Sequence, residues 1–306
     1  MISFRQHVVT IVAIFLALAL GLLAGSAFIQ PKLVDTLQSR LDQQVNTIDD
    51  LRGQVTDLGG QVDAQQGFAD AALPHLTEGL LTGQDVVVVA QEGVEDTVVA
   101  RTRQALNQAG STVLVLEARS SLAPKDPDAQ KALAELLGLP GADPSELAGD
   151  AAQALADRLA AGSDRASPAD ADLLGALLNE GYLAPLGSGV SDASLAAIGG
   201  PGQAVVVLSG GQAEDPTMSP EDFAVPLTER LTELGMPVAA GESEGTRWPF
   251  VELLRAGSLE GLVTVDNLDG SMGGAALVLA LQDRLTNGAG GDFGVKDGAA
   301  PLPPLP

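Results

Sequence analysis

The residues best suited to chemistry lie in two loops that follow predicted strands. One loop has the sequence SGG at 209–211, and the other has DNLDGS at 266–271. In parallel α/β sheets, ligands bind outside the carboxyl ends of the strands, where loops and helix N-termini meet. Carboxylate, amide and hydroxyl oxygens at such a place could hold a hard cation or a polar ligand. The candidate binding residues are Ser209, Gly210, Asp266, Asn267, Asp269 and Ser271.

The second loop also has a purely structural interpretation. Asp269 or Ser271 could cap the helix that is predicted to start at Ser271. Gly273 and Gly274 would then allow that helix to pack closely on the sheet. The sequence leaves both interpretations open.

Groups for covalent or metal chemistry are few and far apart. The chain has no cysteine and two histidines, His7 and His75, so neither a thiolate nor a triad with a supporting histidine is available. After the initiator, the remaining methionines are Met218, Met236 and Met272. Neither a GxGxxG motif nor a P-loop is present. We therefore expect a protein that is not an enzyme and has no resident cofactor, and its metal ligands stay unknown.

The candidate loops belong to a stretch in which strand and helix patterns alternate. Short β-branched runs predict strands at 85–90, 112–117, 203–209, 237–241 and 261–266. Apolar residues at helical spacing, followed by Gly110, Gly235 and Gly288, predict helices between and after them. Several of these strands are continuously apolar, as strands buried on both faces are. The pattern predicts an α/β domain at 74–287, with a mainly parallel sheet and helices on both faces.

Two parts of the chain depart from this alternation. Residues 119–202 are rich in Ala, Asp and Pro, and their helix starts, such as Asp126-Pro127, predict a helical insertion. Residues 288–306 begin with glycines and end in PLPPLP, which predicts a disordered tail.

The N-terminal segment 1–30 contains an uncharged apolar run, Val8 to Ile29. At ~1.5 Å rise per residue this run is long enough to cross a ~30 Å hydrocarbon core, so we expect a single-pass anchor in the cell membrane. Arg5 and His7 before the run place the N-terminus in the cytoplasm and the bulk outside it. The small residues at 24–27 allow the alternative of a cleaved signal peptide.

Residues 31–70 show the heptad repeat of a coiled-coil stalk. β-branched residues at the first core position with Leu at the second favour a parallel two-stranded coil, either a homodimer or a pairing with a partner's helix through 31–66. The alternative is an amphipathic helix that packs on its own domain. After Val34, the apolar interface residues are Leu37, Leu41, Ile48, Leu51, Val55, Leu58 and Val62.

The overall charge excludes some partners. The chain has 40 acidic and 16 basic residues, a net charge of −24, which would repel nucleic acid and anionic lipid headgroups. The absence of cysteine also means that no disulfide supports the fold, although most of the chain is expected on an oxidising face.

Both ends of the chain resemble the MctB (mycobacterial copper transport protein B) family of actinobacterial envelope proteins. The resemblance lies in ISFRQHVVTIVAIFLALALG at the N-terminus and GLVTVDNLDGSMGGAALVLALQDRLTNGAGGDFG near the C-terminus. It implies a role in copper efflux, homeostasis and resistance. Relatives of this architecture are also linked to cell separation, as partners of a cytoplasmic protein and a peptidoglycan hydrolase. The alternative function is therefore a non-catalytic adaptor in envelope maintenance or cell division.

Overall fold

The computed structural model describes residues 4–162, 172–187, 198–257 and 259–304. The chain divides into two units, residues 1–65 and residues 66–306. Helix α1, Phe4–Thr77, begins in the first unit and ends in the second. Its segment Phe4–Gly25 has a mean hydropathy of 2.7 and is long and apolar enough to cross a membrane.

The predicted stalk is the middle part of α1. The helix continues through Gly59 and Gly60 without a break. The apolar residues predicted for the coiled-coil interface, from Leu37 to Val62, are between 48% and 69% exposed. The side chain of Val34 lies outside the described part of the structure. The first unit therefore presents an apolar stripe that no other described part of it covers.

A single sheet forms the centre of the second unit. Within the described residues its strands are β1 Asp85–Gln91, β2 Thr112–Ala118, β3 Leu183–Pro185, β4 Ala204–Leu208, β5 Val238–Gly241, β6 Val263–Val265 and β7 Gly291–Phe293. Their order across the sheet is β3-β2-β1-β4-β5-β6-β7. All neighbouring pairs are parallel except β2 and β3, which are antiparallel. The predicted mainly parallel sheet is confirmed.

The central strands explain why the core has two layers. Residues 86–90 of β1 are all almost completely buried. Because successive side chains of a strand point to opposite faces, Val87 and Val89 join one apolar cluster while Val86 and Val88 join the other. Continuous Val-rich strands are therefore stable here only with helices on both faces.

The helices follow the predicted alternation. After α1 the described helices are α2 Asp96–Gln108, α3 Pro127–Leu136, α4 Leu147–Ala161, α5 Leu173–Asn179, α6 Ala224–Glu233, α7 Val251–Gly257 and α8 Ser271–Asn287, with a 3₁₀ turn at Ser120–Leu122. The Asp126 carboxylate accepts hydrogen bonds from two backbone N–H groups of the first turn of α3, and Pro127 occupies its first position. Helix α8 ends at Gly288, whose φ of 73° suits glycine.

The insertion at 119–202 is corrected in one respect. Its described residues are mostly helical, but they include β3, which pairs with the outer edge of β2. Leu183 of this strand is buried in the core beside α4 and α5. A three-residue strand is too short to show a periodic pattern, so no sequence signal marked it. Residues 163–171 and 188–197 of the predicted insertion lie outside the described residues.

The predicted disorder at 288–306 is also corrected. Gly291–Phe293 forms β7, which pairs with β6, and Gly294 and Ala300 are joined by a backbone hydrogen bond of 2.8 Å. The order of this segment comes from contacts with residues far back in the chain, which glycine and proline content does not report. Residues 305 and 306 lie outside the described residues.

Candidate functional site

The first predicted loop lies where β1 and β4 are neighbours in the sheet. The order of the parallel strands reverses between them, and sheets of this kind bind ligands at such a switch point. Here the Ser209 hydroxyl donates to Gln91 Oε1 at 2.8 Å, and Gln91 Nε2 donates to the Met218 carbonyl at 2.7 Å. A side chain on Gly210 would collide with Thr246. The remaining cavity of about 20 Å³ has room for roughly one water molecule.

Glu92, at the edge of this switch point, fixes the loop after β2. The backbone N–H of Ser120 donates to Glu92 Oε2 at 2.5 Å. This hydrogen bond is the main cause that lowers the pKa of the Glu92 carboxyl below its ordinary value of 4.5. Both this contact and the Ser209 contacts hold loops together, so the polar groups at the switch point are already engaged within the protein.

Asp266, the first residue of the second predicted loop, is completely buried at the end of β6. Its Oδ1 accepts a hydrogen bond from the Val295 N–H at 2.7 Å, and its Oδ2 lies 2.8 Å from Arg255 Nη1. A side chain on Gly294 would overlap the Asp266 carboxylate. Asp266 therefore holds the C-terminal segment against the sheet.

Glu242, at the end of β5, is a second completely buried carboxylate that the sequence analysis missed. Its Oε2 accepts hydrogen bonds from the N–H groups of Phe250 at 2.6 Å and Val251 at 3.0 Å. Its Oε1 lies 2.6 Å from Lys296 Nζ. An acidic residue directly after an apolar strand, VAAGE, is the signal that could have found it, and the same signal, VTVD, precedes Asp266.

Arg255 of α7 links these contacts into one network. Its guanidinium donates to Thr264 Oγ1 at 2.9 Å and to the Phe293 carbonyl at 3.0 Å, besides the ion pair with Asp266. Thr264 in turn donates to Asp292 Oδ1 at 2.7 Å. We call this set the carboxylate network; its members are Glu242, Arg255, Thr264, Asp266, Asp292 and Lys296. Buried charges that are paired and hydrogen-bonded in this way hold elements together.

The rest of the second loop points to separate partners. Asp269 Oδ1 accepts from the Glu244 N–H at 2.9 Å, and the Ser271 hydroxyl donates to Asp70 of α1. Asn267 Oδ1 is buried and has no hydrogen-bond partner within the described residues. Neither Asp269 nor Ser271 caps α8, whose N-cap is Gly270. The structure therefore does not bring the oxygens of this loop to one point.

Gly273 explains part of the glycine content of this loop. A side chain on Gly273 would overlap the backbone carbonyl of Asn267. Close packing of α8 on the loop thus requires glycine there, as the structural interpretation predicted.

The groups that could bind copper are also apart. Met218 and Met236 are buried in the apolar cluster on one face of the sheet, whereas α8, which carries Met272, packs on the other. Met272 is 38% exposed. His75 lies at the exposed end of α1, where its Nδ1 is 3.9 Å from Glu78. In the described ranges no three His, Cys, Asp or Glu side chains are grouped as metal ligands.

A groove of about 390 Å³ lies between the end of α1, the outer face of α2 and the start of α8. Its floor includes Ala105 and Gly274, and its rim includes Arg101, Asp70 and Leu73. The groove is large enough for a side chain or a small ligand.

The comparisons with known proteins assign the family. A family model described as "Copper transport outer membrane protein, MctB" matches residues 1–304. The chain belongs to the MctB family. It is 28% identical over 332 residues to the copper transporter MctB of Mycobacterium bovis and to that of Mycobacterium tuberculosis H37Rv, with 98% of each chain covered. The copper transporter MctB of Mycobacterium leprae is 28% identical over 335 residues, with 99% of each chain covered.

MctB relatives are matched from end to end, so the apolar helix, the stalk and the sheet domain together correspond to these proteins. The MctB family name and the helix Phe4–Gly25 indicate a membrane protein related to copper transport. The resemblance inferred from the two ends of the sequence is confirmed.

Proposed function

We propose that the protein is a membrane-anchored envelope component of copper homeostasis, which works as a pair of chains through its stalk and offers no tight copper site of its own. The observation that carries the proposal is the match to the MctB family along the whole chain. The relatives are named copper transporters. Arg5, before the apolar run, supports a cytoplasmic N-terminus with the sheet domain on the other side of the membrane.

The indirect role in copper handling follows from the placement of the soft ligands. Tight Cu(I) binding needs two or more thiolate, thioether or imidazole groups at one point. Met218 and Met236 pack in the core, and His75 and Met272 lie on the surface of different helices. On this proposal, copper tolerance depends on what the protein assembles with or on the permeability of the envelope.

Deletion of the gene in its host tests the role in copper homeostasis. We expect the deletion strain to accumulate copper and to grow at a lower maximum copper concentration, and the wild-type gene to restore both. A double variant, His75→Ala with Met272→Leu, removes the exposed soft ligands and should restore them equally well. Unchanged copper tolerance after deletion would contradict the copper role, and failure of the double variant would contradict the indirect mechanism.

Copper binding itself is measured by competition with a chelator of known affinity. We expect the purified full chain in detergent to bind Cu(I) no more tightly than micromolar. A stoichiometric nanomolar site that is lost in the His75→Ala or Met272→Leu variant would restore copper as a direct ligand of the protein.

The exposed stripe of the stalk favours a second candidate function, a non-catalytic adaptor that binds other envelope proteins. The stripe is uncovered within the described part of its own unit and has the residue pattern of a helix-pairing surface. A cell-wall hydrolase and a cytoplasmic protein are the partners that we propose to look for. Affinity purification of the tagged full chain from membranes, compared with a chain that lacks residues 31–66, should recover a hydrolase only with the stalk present. Equal recovery from both chains would contradict a stalk-dependent adaptor.

A further inference from the structure

The heptad pattern of α1 does not stop where the predicted stalk ends. We label the seven positions a to g, with Val62 at a and Leu58 at d. The next a positions are Ala69 and Leu76, and the second d position after Leu58 is Ala72. Ala69 and Ala72 are half-buried, and Leu76 is 52% exposed. The apolar seam therefore continues through the part of α1 that belongs to the second unit.

The flanks of this continuation are apolar as well. Phe68, at position g, is 75% exposed, and Leu73, at position e, lines the groove beside α2 and α8. In a parallel two-stranded coil, a g residue contacts the e residue five positions later on the other helix. Phe68 of one copy would thus meet Leu73 of a second copy. The small side chains at 69 and 72 let the two helices come close enough for this contact.

Charge placement on α1 favours a second copy as the occupant. A chain with a net charge of −24 repels itself unless its acidic residues stay away from the contact. Every acidic residue between positions 31 and 77 is at b or c, which face away from the seam: Asp35, Asp42, Asp49, Asp50, Asp57, Asp63 and Asp70. The e and g positions instead carry neutral residues, Arg40, Arg52 and His75. Two identical helices can therefore meet along this seam without contacts between acidic residues.

The domain contacts a different face of the same helix. Asp70 accepts the hydrogen bond of Ser271, and the groove is lined on the α1 side by Asp70, Leu73 and Thr77. These residues are at positions b and e. The a positions, including the exposed Leu76, lie beside that face, so domain packing and pairing of two α1 helices are compatible.

We propose that two copies of this chain pair along residues 68–76 as well as along the stalk, with Phe68 of each copy packed on Leu73 of the other. The contact fixes the two sheet domains beside each other and places Phe68 of the second copy at the α1 side of the groove. This inference rests on the proposed pairing of the stalk.

Single-cysteine crosslinking tests it, because the chain has no cysteine of its own. Ala72→Cys places a thiol at d in the continued seam, and Ala71→Cys replaces the neighbouring alanine at c, which faces away from it. Leu58→Cys and Asp57→Cys form the matched pair for the stalk. Membranes that contain each full-length variant are oxidised with diamide, and the fraction of disulfide-linked dimer is measured on non-reducing gels.

We expect Ala72→Cys and Leu58→Cys to crosslink at least fivefold more than their neighbouring c-position controls. Phe68→Ser in the Ala72→Cys background should lower crosslinking at 72 but not at 58 in the Leu58→Cys background. Strong crosslinking at 58 with only control levels at 72 would overturn this inference and leave the paired stalk intact. Control levels at both positions would overturn the pairing of the stalk as well.

Discussion

Glu242 gives the sharpest test of the carboxylate network. Changing Glu242 to Ala removes the acceptor of two buried backbone N–H groups, those of Phe250 and Val251. An unsatisfied buried donor costs about 1–3 kcal/mol. Lys296 loses its partner too, but its side chain is 29% exposed and can reach water, so this loss adds at most about 1 kcal/mol. We expect the free energy of unfolding to fall by about 3–5 kcal/mol.

The isosteric variant Glu242→Gln separates these contributions. A glutamine carbonyl can still accept from the two N–H groups, whereas its amide group cannot pair with the Lys296 ammonium. We expect a loss of about 1–2 kcal/mol, because the hydrogen bonds remain and one charge-assisted contact is lost. The order of stability should therefore be wild type, then Glu242→Gln, then Glu242→Ala.

Trp248 provides the signal for this measurement. It is the single tryptophan of the chain, and its indole N–H donates to the Ala213 carbonyl at 2.8 Å within the sheet domain. Urea unfolding of the full chain in detergent, followed by tryptophan fluorescence, therefore reports on the domain and not on the apolar helix. Glu244→Ala is the matched control, since the Glu244 side chain is exposed and should change stability by less than about 0.5 kcal/mol. A loss below about 1 kcal/mol for Glu242→Ala would refute the reasoning.

Three further predictions concern the stalk, the C-terminal segment and pH. Leu51→Asp with Leu58→Asp places charges in the apolar seam and should convert a dimer into a monomer in sedimentation of the detergent-solubilised chain; an unmutated monomer at tens of micromolar would contradict pairing. Gly294→Ala should lower the melting temperature by several degrees, because φ is 132° there and the methyl group would overlap the Asp266 carboxylate; an unchanged value would count against the close approach. Glu92 has a lowered pKa, so its contribution to stability is present above its ordinary value of 4.5 and is lost as pH falls further; the stability difference between wild type and Glu92→Gln should shrink on acidification, and a constant difference would contradict this.

The sequence alone determined the elements of this protein and their arrangement in one sheet. Heptad spacing predicted the stalk, and Val-rich runs such as β1 and β4 predicted buried parallel strands with helices on both faces. These features can be read locally because each element repeats its burial pattern about every two, 3.5 or 3.6 residues. The acidic residues after β5 and β6 were also visible, although only Asp266 was selected as a candidate.

Only the tertiary structure decided what the candidate residues contact. Lys296 reaches Glu242 across 54 positions of the chain, and Val295 reaches Asp266 across 29. These contacts turn a glycine-rich tail into β7 and the segment after it, and they use the Asp266 carboxylate to hold that segment. Periodicity encodes which face of an element is buried, but not which distant element covers it. The partner of a buried charge is therefore fixed by how the chain folds back on itself, and no local pattern records it.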